Sequence, residues 1–223
     1  MVEDATPLGP PLIQPLGDSG LIVRFAATLS EAANRAAIAF ARRLEADLPE
    51  GVGEVDPNLV SVLLTYDPSK VRFEHLAGEV RLRLTAGAAD MPAGMHHRIG
   101  VSFGGEDGPD LDAVAAQLGL SPAALIERHC ARPLRVLATG FAPGFVYCGF
   151  HPEALAMPRR TEVRHSVPPG TVLFAARQTA VTATSIPTGW HVIGRTAFRN
   201  FDAAGDPPTR LREGDDVTFE ALA

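Results

Sequence analysis

The chain has 223 residues, 46% of them hydrophobic and 21% charged, which allows one large domain or two small ones with real cores and excludes a disordered polymer. A formal net charge of −6 argues against nucleic acid as a partner, and two cysteines are too few for a disulfide scaffold and suit a reducing compartment. No apolar run of about 18 residues is present to span a membrane, and no charged segment precedes an apolar run at the N-terminus, so a cytoplasmic protein without membrane contact is expected.

Taken in order, residues 1–10 read as a disordered lead. Ile13 to Leu16 and Leu21 to Phe25 are apolar runs separated by Gly17-Asp18-Ser19-Gly20, which predicts a strand, a turn and a strand. Ser30 is an N-cap ahead of an Ala-rich helix reaching about Leu48, with Ala37, Phe40, Ala41, Leu44 and Leu48 on one face. Val52 to Val55 and Leu59 to Tyr66 predict a second strand pair, and Asp67-Pro68 leads to a helix from Phe73 to about Leu84. The order ββαββα predicts a small α+β sandwich with helices on one face of a sheet. Thr85 to His97, rich in Ala, Gly and Pro, is the expected linker, which gives domains over 11–88 and 96–223.

Beyond the linker, Arg98 to Phe103 predicts a strand, and Leu111, Val114, Ala115 and Leu118 share one helical face. Ser121-Pro122, an N-cap followed by proline at the first helical position, starts a helix to about Cys130. The rest predicts short strands between Gly/Pro turns: Leu134 to Ala138, Thr171 to Ala175, Ala180 to Thr184, His191 to Ile193 and Asp216 to Glu220. Such density indicates a barrel or sandwich.

The motifs exclude several chemistries. There is no GxxxxGK[ST], no GxSxG, no HExxH and no CxxC, so a P-loop, a nucleophile elbow and a zinc site have no support. His96-His97 would point to opposite sides of an extended chain, so no metal is expected there. The stretch Thr139 to Thr196 carries the strongest signal, combining fixed-shape Gly/Pro turns with aromatics, five arginines and the only Trp. In its loop Gly140 to Gly149, Phe141, Phe145 and Tyr147, with Phe150 beyond it, either line a pocket with a phenol handle or plug one end of a barrel. As an exposed apolar loop it would, with Trp190, face a cleft completed by a partner. Cys148 is either a nucleophile near His129 or His151 or a small buried thiol. Arg159, Arg160, Arg164, Arg177 and Arg195 are candidates for an anion site, against a solvated face paired with the chain's own acids. Gln178-Thr179 is expected between two strands, holding a planar amide or capping a hairpin, and His129 at a helix C-terminus suits the helix dipole.

These words, in this order, resemble one family. They are Gly104-Gly105-Glu106 with Gly108-Pro109-Asp110-Leu111, Gly119-Leu120-Ser121, Ile126 with His129, and Gly140-Phe141-Ala142-Pro143-Gly144-Phe145 with Tyr147. They continue through Pro158-Arg159, Val167-Pro168 with Gly170, Gln178-Thr179, and Gly189-Trp190 with Ile193-Gly194-Arg195-Thr196. The chain is similar to the family of the 5-oxoprolinase B-type subunit, also known as allophanate hydrolase subunit 1, which has a carboxyltransferase-type domain and includes the Kip sporulation-kinase inhibitor. It departs from the family pattern at Val163-Arg164, Ala176-Arg177, Thr182-Ala183 and Pro187-Thr188.

The resemblance implies a ferredoxin-like N-terminal α/β sandwich and a cyclophilin-like β-barrel. It implies a partner of the C type, related to allophanate hydrolase subunit 2, together with a third subunit of the A type, and ATP acting at the level of the complex. The implied reaction is hydrolysis of a small molecule, 5-oxo-L-proline opened to L-glutamate. Alternatives are a carboxyltransferase-type subunit in urea metabolism and an inhibitor of a sensor histidine kinase. Under the first reading Arg159, Arg160 and Arg164 hold carboxylate or phosphate beside Phe145, Gln178 and Thr179, while His129 and Tyr147 orient groups or shuttle a proton.

Overall fold

The computed structural model describes residues 8–85 and 94–222, so the expected lead is only partly covered, and 86–93 of the expected linker lie outside the described residues. The chain divides into two compact units, residues 1–92 and 93–223, each with its own apolar core.

In the first unit β1 (Leu12–Leu16), β2 (Gly20–Arg24), β3 (Val52–Pro57) and β4 (Ser61–Tyr66) form an antiparallel sheet in the order β1-β2-β4-β3. Alternation on β2 and β4 sends Leu21, Val23, Val62, Leu64 and Tyr66 to one face. There they meet Ala33, Ala37, Phe40, Ala41 and Leu44 of α1 (Glu31–Ala46) and Leu76, Ala77 and Val80 of α2 (Phe73–Thr85). The Ser30 hydroxyl accepts from the Ala33 amide at 3.2 Å, so the expected N-cap starts α1, and the helix stops two residues short of Leu48. The element order is ββαββα, a hairpin first, whereas a ferredoxin-like unit is written βαββαβ. Thr85 lies in α2 and His96-His97 begin the next strand, so those ends of the expected linker are structured.

The second unit is built on a closed barrel in the order β10-β7-β6-β13-β5-β12-β9. Its strands are β5 (His96–Phe103), β6 (Leu134–Thr139), β7 (Val146–Gly149), β9 (Thr171–Ala175), β10 (Gln178–Val181), β12 (His191–Arg195) and β13 (Asp216–Ala221). All ladders are antiparallel except β13 with β5. A separate pair, β8 (Arg164–Val167) with β11 (Ile186–Thr188), stands apart from the closed sheet. Helices α3 (Leu111–Gln117) and α4 (Pro122–Cys130) contribute Leu111, Val114 and Leu125 to the barrel's inner cluster, with Val146, Cys148, Val172, Phe174, Val181 and Ile193. A smaller outer cluster gathers Phe145, Leu173, Ala175, Ala180, Trp190 and Val192 with Val167 of β8 and Ile186 of β11. Period-two alternation thus gives the wall two packed faces.

Three expectations change. The end of the supposed loop, Val146–Gly149, is the barrel strand β7. Gln178-Thr179 open β10 rather than sit between strands, and the two-residue turn is Ala176-Arg177, with φ of 51° and 61°. That left-handed sense suits a tight hairpin, so the turn keeps its shape without glycine. Arg164–Val167 and Ile186–Thr188 are strands with no counterpart among the expected ones.

The loop after β5 lies backbone to backbone on β12. Gly104 N–H donates to Ile193 O at 3.1 Å, and a Cβ on Gly108 would stand 2.1 Å from Ile193 O. Gly108→Ala should therefore cost about 1–3 kcal/mol or more in urea denaturation, because neither wall of that contact is a flexible side chain. An unchanged midpoint would contradict this packing.

Candidate functional site

The outer face of the barrel wall carries a run of edge-on aromatics. Phe141 lies 5.6 Å from Phe145, Phe145 lies 4.8 Å from Tyr147, and Tyr147 lies 5.9 Å from Trp190, all centroid to centroid. The Arg159 guanidinium stands 5.7 Å from the Trp190 ring centre. Phe145 and Trp190 are only 4% and 7% exposed, so the loop does not present several bare aromatics; Phe141 alone is open, at 69%. Its φ of 72° is costly for a residue with a Cβ, and it holds that ring out over Phe145. Tyr147 is half-buried, and burial raises its phenol pKa against the smaller opposing effect of Arg159. At neutral pH it is a hydrogen-bond donor.

Behind this rim lies a buried carboxylate. Asp110 stands at the N-cap position of α3 but makes no side-chain bond to its own helix. Oδ1 accepts from Arg160 Nη1 at 2.9 Å and Arg164 Nη2 at 2.5 Å, and Oδ2 accepts from the Val192 amide at 2.7 Å. Arg164 Nε is buried without a hydrogen-bond partner. Arg177 is engaged elsewhere, on Glu153 at 2.7 Å and the His151 carbonyl at 2.9 Å. The arginine cluster read from the sequence therefore separates into Arg160, Arg164 and Arg177, each paired with an acid of the chain, and Arg159 and Arg195, which are exposed and form no ion pair among the described residues.

His129 and Thr179 lie on the inner face. Thr179 Oγ1 is 2.7 Å from His129 Nε2 and 2.8 Å from His151 Nε2, with the imidazole rings 4.7 Å apart. One hydroxyl can donate to only one of them, so the rings hold opposite tautomers about it. His151 Nδ1 is buried without a partner, whereas His129 Nδ1 faces Cys130 Sγ at 3.9 Å. A bare lone pair is the cheaper orphan, which assigns His151 as donor to Thr179 and Thr179 as donor to His129. Burial pushes His129 down to about 3 and, with repulsion from His129, Arg132 and Arg177, His151 down to about 2. Burial also pushes the Cys148 thiol up to about 12, which leaves it protonated.

The structure thus brings Phe145, Tyr147 and Arg159 together outside and His129 and Thr179 together inside, with Gln178 buried at the start of β10. His129 and Tyr147 do not meet. Sequence reasoning missed Asp110, which stands in the Gly108-Pro109-Asp110-Leu111 motif but reads as a helix cap, and the pairing of His151 with Thr179. Among the described residues no three of His, Cys, Asp or Glu converge as a metal site, and no helix is long and apolar enough to cross a membrane.

The carboxyltransferase domain, subdomains C and D, matches the chain over residues 11–211. The chain belongs to that family. Within it, this carboxyltransferase-type chain is 36% identical over 222 residues to the 5-oxoprolinase B-type subunit of Bacillus subtilis strain 168, covering 95% of this chain and 92% of the relative. The likeness to the B-type subunit of 5-oxoprolinase expected from the motifs is borne out. Among solved structures the chain is similar to TTHA0988, with a TM-score of 0.79 and 33% identity over 95% of this chain, and it spans 40% of that protein's length. The urea amidolyase of K. lactis shares the fold at a TM-score of 0.76 and 15% identity, over 95% of this chain and 15% of that protein.

The buried histidines make the fold acid-sensitive. The unfolded chain takes up protons on both imidazoles near pH 6.5, whereas the folded chain resists them until far lower pH. Stability is therefore full above pH 6.5 and falls as pH drops, by about 2 kcal/mol per histidine at pH 5. Urea midpoints at about pH 7.5 and pH 5 should differ accordingly, and His151→Gln should flatten the slope by about half. A flat profile in the unaltered chain would contradict the interior assignment.

Proposed function

We propose that the chain is the B-type subunit of an ATP-dependent 5-oxoprolinase, acting with A-type and C-type subunits to open 5-oxo-L-proline to L-glutamate. The observation that carries this reading is the 36% identity with the Bacillus subtilis subunit over nearly the whole of both chains. The likeness to urea amidolyase, at 15% identity, extends to the fold alone and does not favour carboxyl transfer. The outer rim suits a small ring acid, because half-buried Tyr147 offers part of its ring and a phenol that donates a hydrogen bond, and Arg159 supplies positive charge.

A lactam amide is resonance-stabilised, and ATP supplies activation by phosphorylating its oxygen. Of the five arginines, Arg160 and Arg164 are tied to Asp110 and Arg177 to Glu153, which leaves Arg159, beside the Trp190 ring, and Arg195 as the cations without an ion pair among the described residues. We place the nucleotide at the level of the complex. Tyr147, held protonated, would donate to the ligand's ring carbonyl. His129 would act from behind the wall as an orienting residue: through Thr179 it steadies β10, whose Ala180 pairs with Tyr147.

The isolated chain with ATP should therefore not turn over 5-oxo-L-proline, and adding the A-type and C-type subunits should start glutamate release. Turnover by the chain alone would contradict the subunit reading. A complete set of subunits that releases no glutamate would contradict the oxoprolinase reading.

A further inference from the structure

We infer that Arg159, alone of Arg159, Arg160 and Arg164, receives the carboxylate of the ligand, and that Asp110 is the positioning residue that withholds the other two. The inference rests on the proposed function only for the identity of the ligand; its geometry stands by itself. A buried carboxylate must be compensated where it lies, and Asp110, 7% exposed, is compensated by both guanidinium groups and the Val192 amide. Drawing Arg160 or Arg164 toward a ligand would strip that compensation, so the ligand contact would be offset by the damage behind it.

Arg159 is under no such constraint. It is exposed, and among the described residues it pairs with no carboxylate. The backbone on each side of it is pinned to a residue flanking Trp190. His191 Nε2–H donates to Pro158 O at 3.0 Å, and Arg160 N–H donates to Gly189 O at 2.7 Å. This double clamp places the guanidinium carbon 5.7 Å from the centre of the indole, within cation–π range. A guanidinium held beside a ring and paired with no carboxylate keeps N–H groups for a planar anion, which carboxylate matches in a fork. Tyr147 beneath it is close enough for the Arg159 charge to act on its phenol. The exposed cation and the half-buried phenol donor together fit a carboxylate carried on a small ring with a carbonyl acceptor.

The test uses the emission of Trp190, the only Trp of the chain, in the full-length protein. Titrants are 5-oxo-L-proline, 2-pyrrolidinone (the same ring without the carboxylate), pyrrole-2-carboxylate and inorganic phosphate. Wild-type emission should shift saturably with 5-oxo-L-proline, and 2-pyrrolidinone should bind at least about tenfold more weakly. Arg159→Gln should lose at least about tenfold in affinity with an unchanged urea midpoint, and Arg159→Lys should recover part of it, keeping the charge without the fork. Arg160→Gln and Asp110→Asn should instead lower the urea midpoint.

Wild-type affinity in Arg159→Gln would overturn the inference. So would an equal loss in Arg160→Gln at unchanged stability, a response to phosphate alone, or no response to any carboxylate. If pyrrole-2-carboxylate binds through Arg159 and 5-oxo-L-proline does not, the inference stands and the oxoprolinase reading fails. If the assembled complex opens 5-oxo-L-proline while Arg159→Gln keeps full affinity, the reading stands and the inference fails.

Discussion

The Asp110 carboxylate, shared among Arg160, Arg164 and the Val192 amide, is the interaction on which the candidate site depends. It joins the start of α3, the irregular segment around Arg160, strand β8 and strand β12, which ordinary sheet pairing does not connect to one another. A carboxylate this buried costs several kcal/mol unless it is met by charge and hydrogen bonds, and here both are supplied. The geometry of the rim follows from it. Arg160 is held at both its side chain and its backbone amide, which fixes the backbone next to Arg159, whose guanidinium stands 5.7 Å from the Trp190 ring centre.

The barrel wall divides the remaining chemistry. On β7, Val146 and Cys148 face the inner cluster while Tyr147 faces the outer one; on β9, Val172 and Phe174 face in while Leu173 and Ala175 face out. A slip of one residue would exchange the two sets. The His129–Thr179–His151 bonds oppose that slip at β10, because Thr179 satisfies the imidazoles only from the inside. Inner and outer faces thus depend on each other: neutral, desolvated imidazoles fix the strand that carries the aromatic wall. Their lost basicity is a consequence of that packing and gives them no proton to offer a ligand on the other side.

Much of this was legible in the sequence, and what was not has physical reasons. The helices were legible because 3.6-residue spacing and the caps Ser30 and Ser121 are local signals. Leu125 and His129 stand four apart on α4 and are both buried, so the interior place of His129 was readable from spacing, although its position at a helix end suggested the dipole instead. Strand β7 was hidden by the Pro-Gly turn before it and by its aromatics, which suit a loop as well as a strand. Ala176-Arg177 adopts a left-handed turn that composition does not announce. The aromatic and arginine content of the site was visible, but its partition was not. Arg160 and Arg164 meet Asp110 across separations of 50 and 54 residues, and only the folded barrel brings them together.

The central claim is that Asp110 and its arginines act as one unit rather than as separate surface pairs. A double-mutant cycle of Asp110→Asn and Arg164→Gln, followed by urea denaturation of the full chain, tests it most directly. The account predicts that each single change destabilises and that the two together are non-additive, with a coupling of about 1–3 kcal/mol. Effects that add within about 0.5 kcal/mol would mean that the residues contribute independently, and would contradict the account.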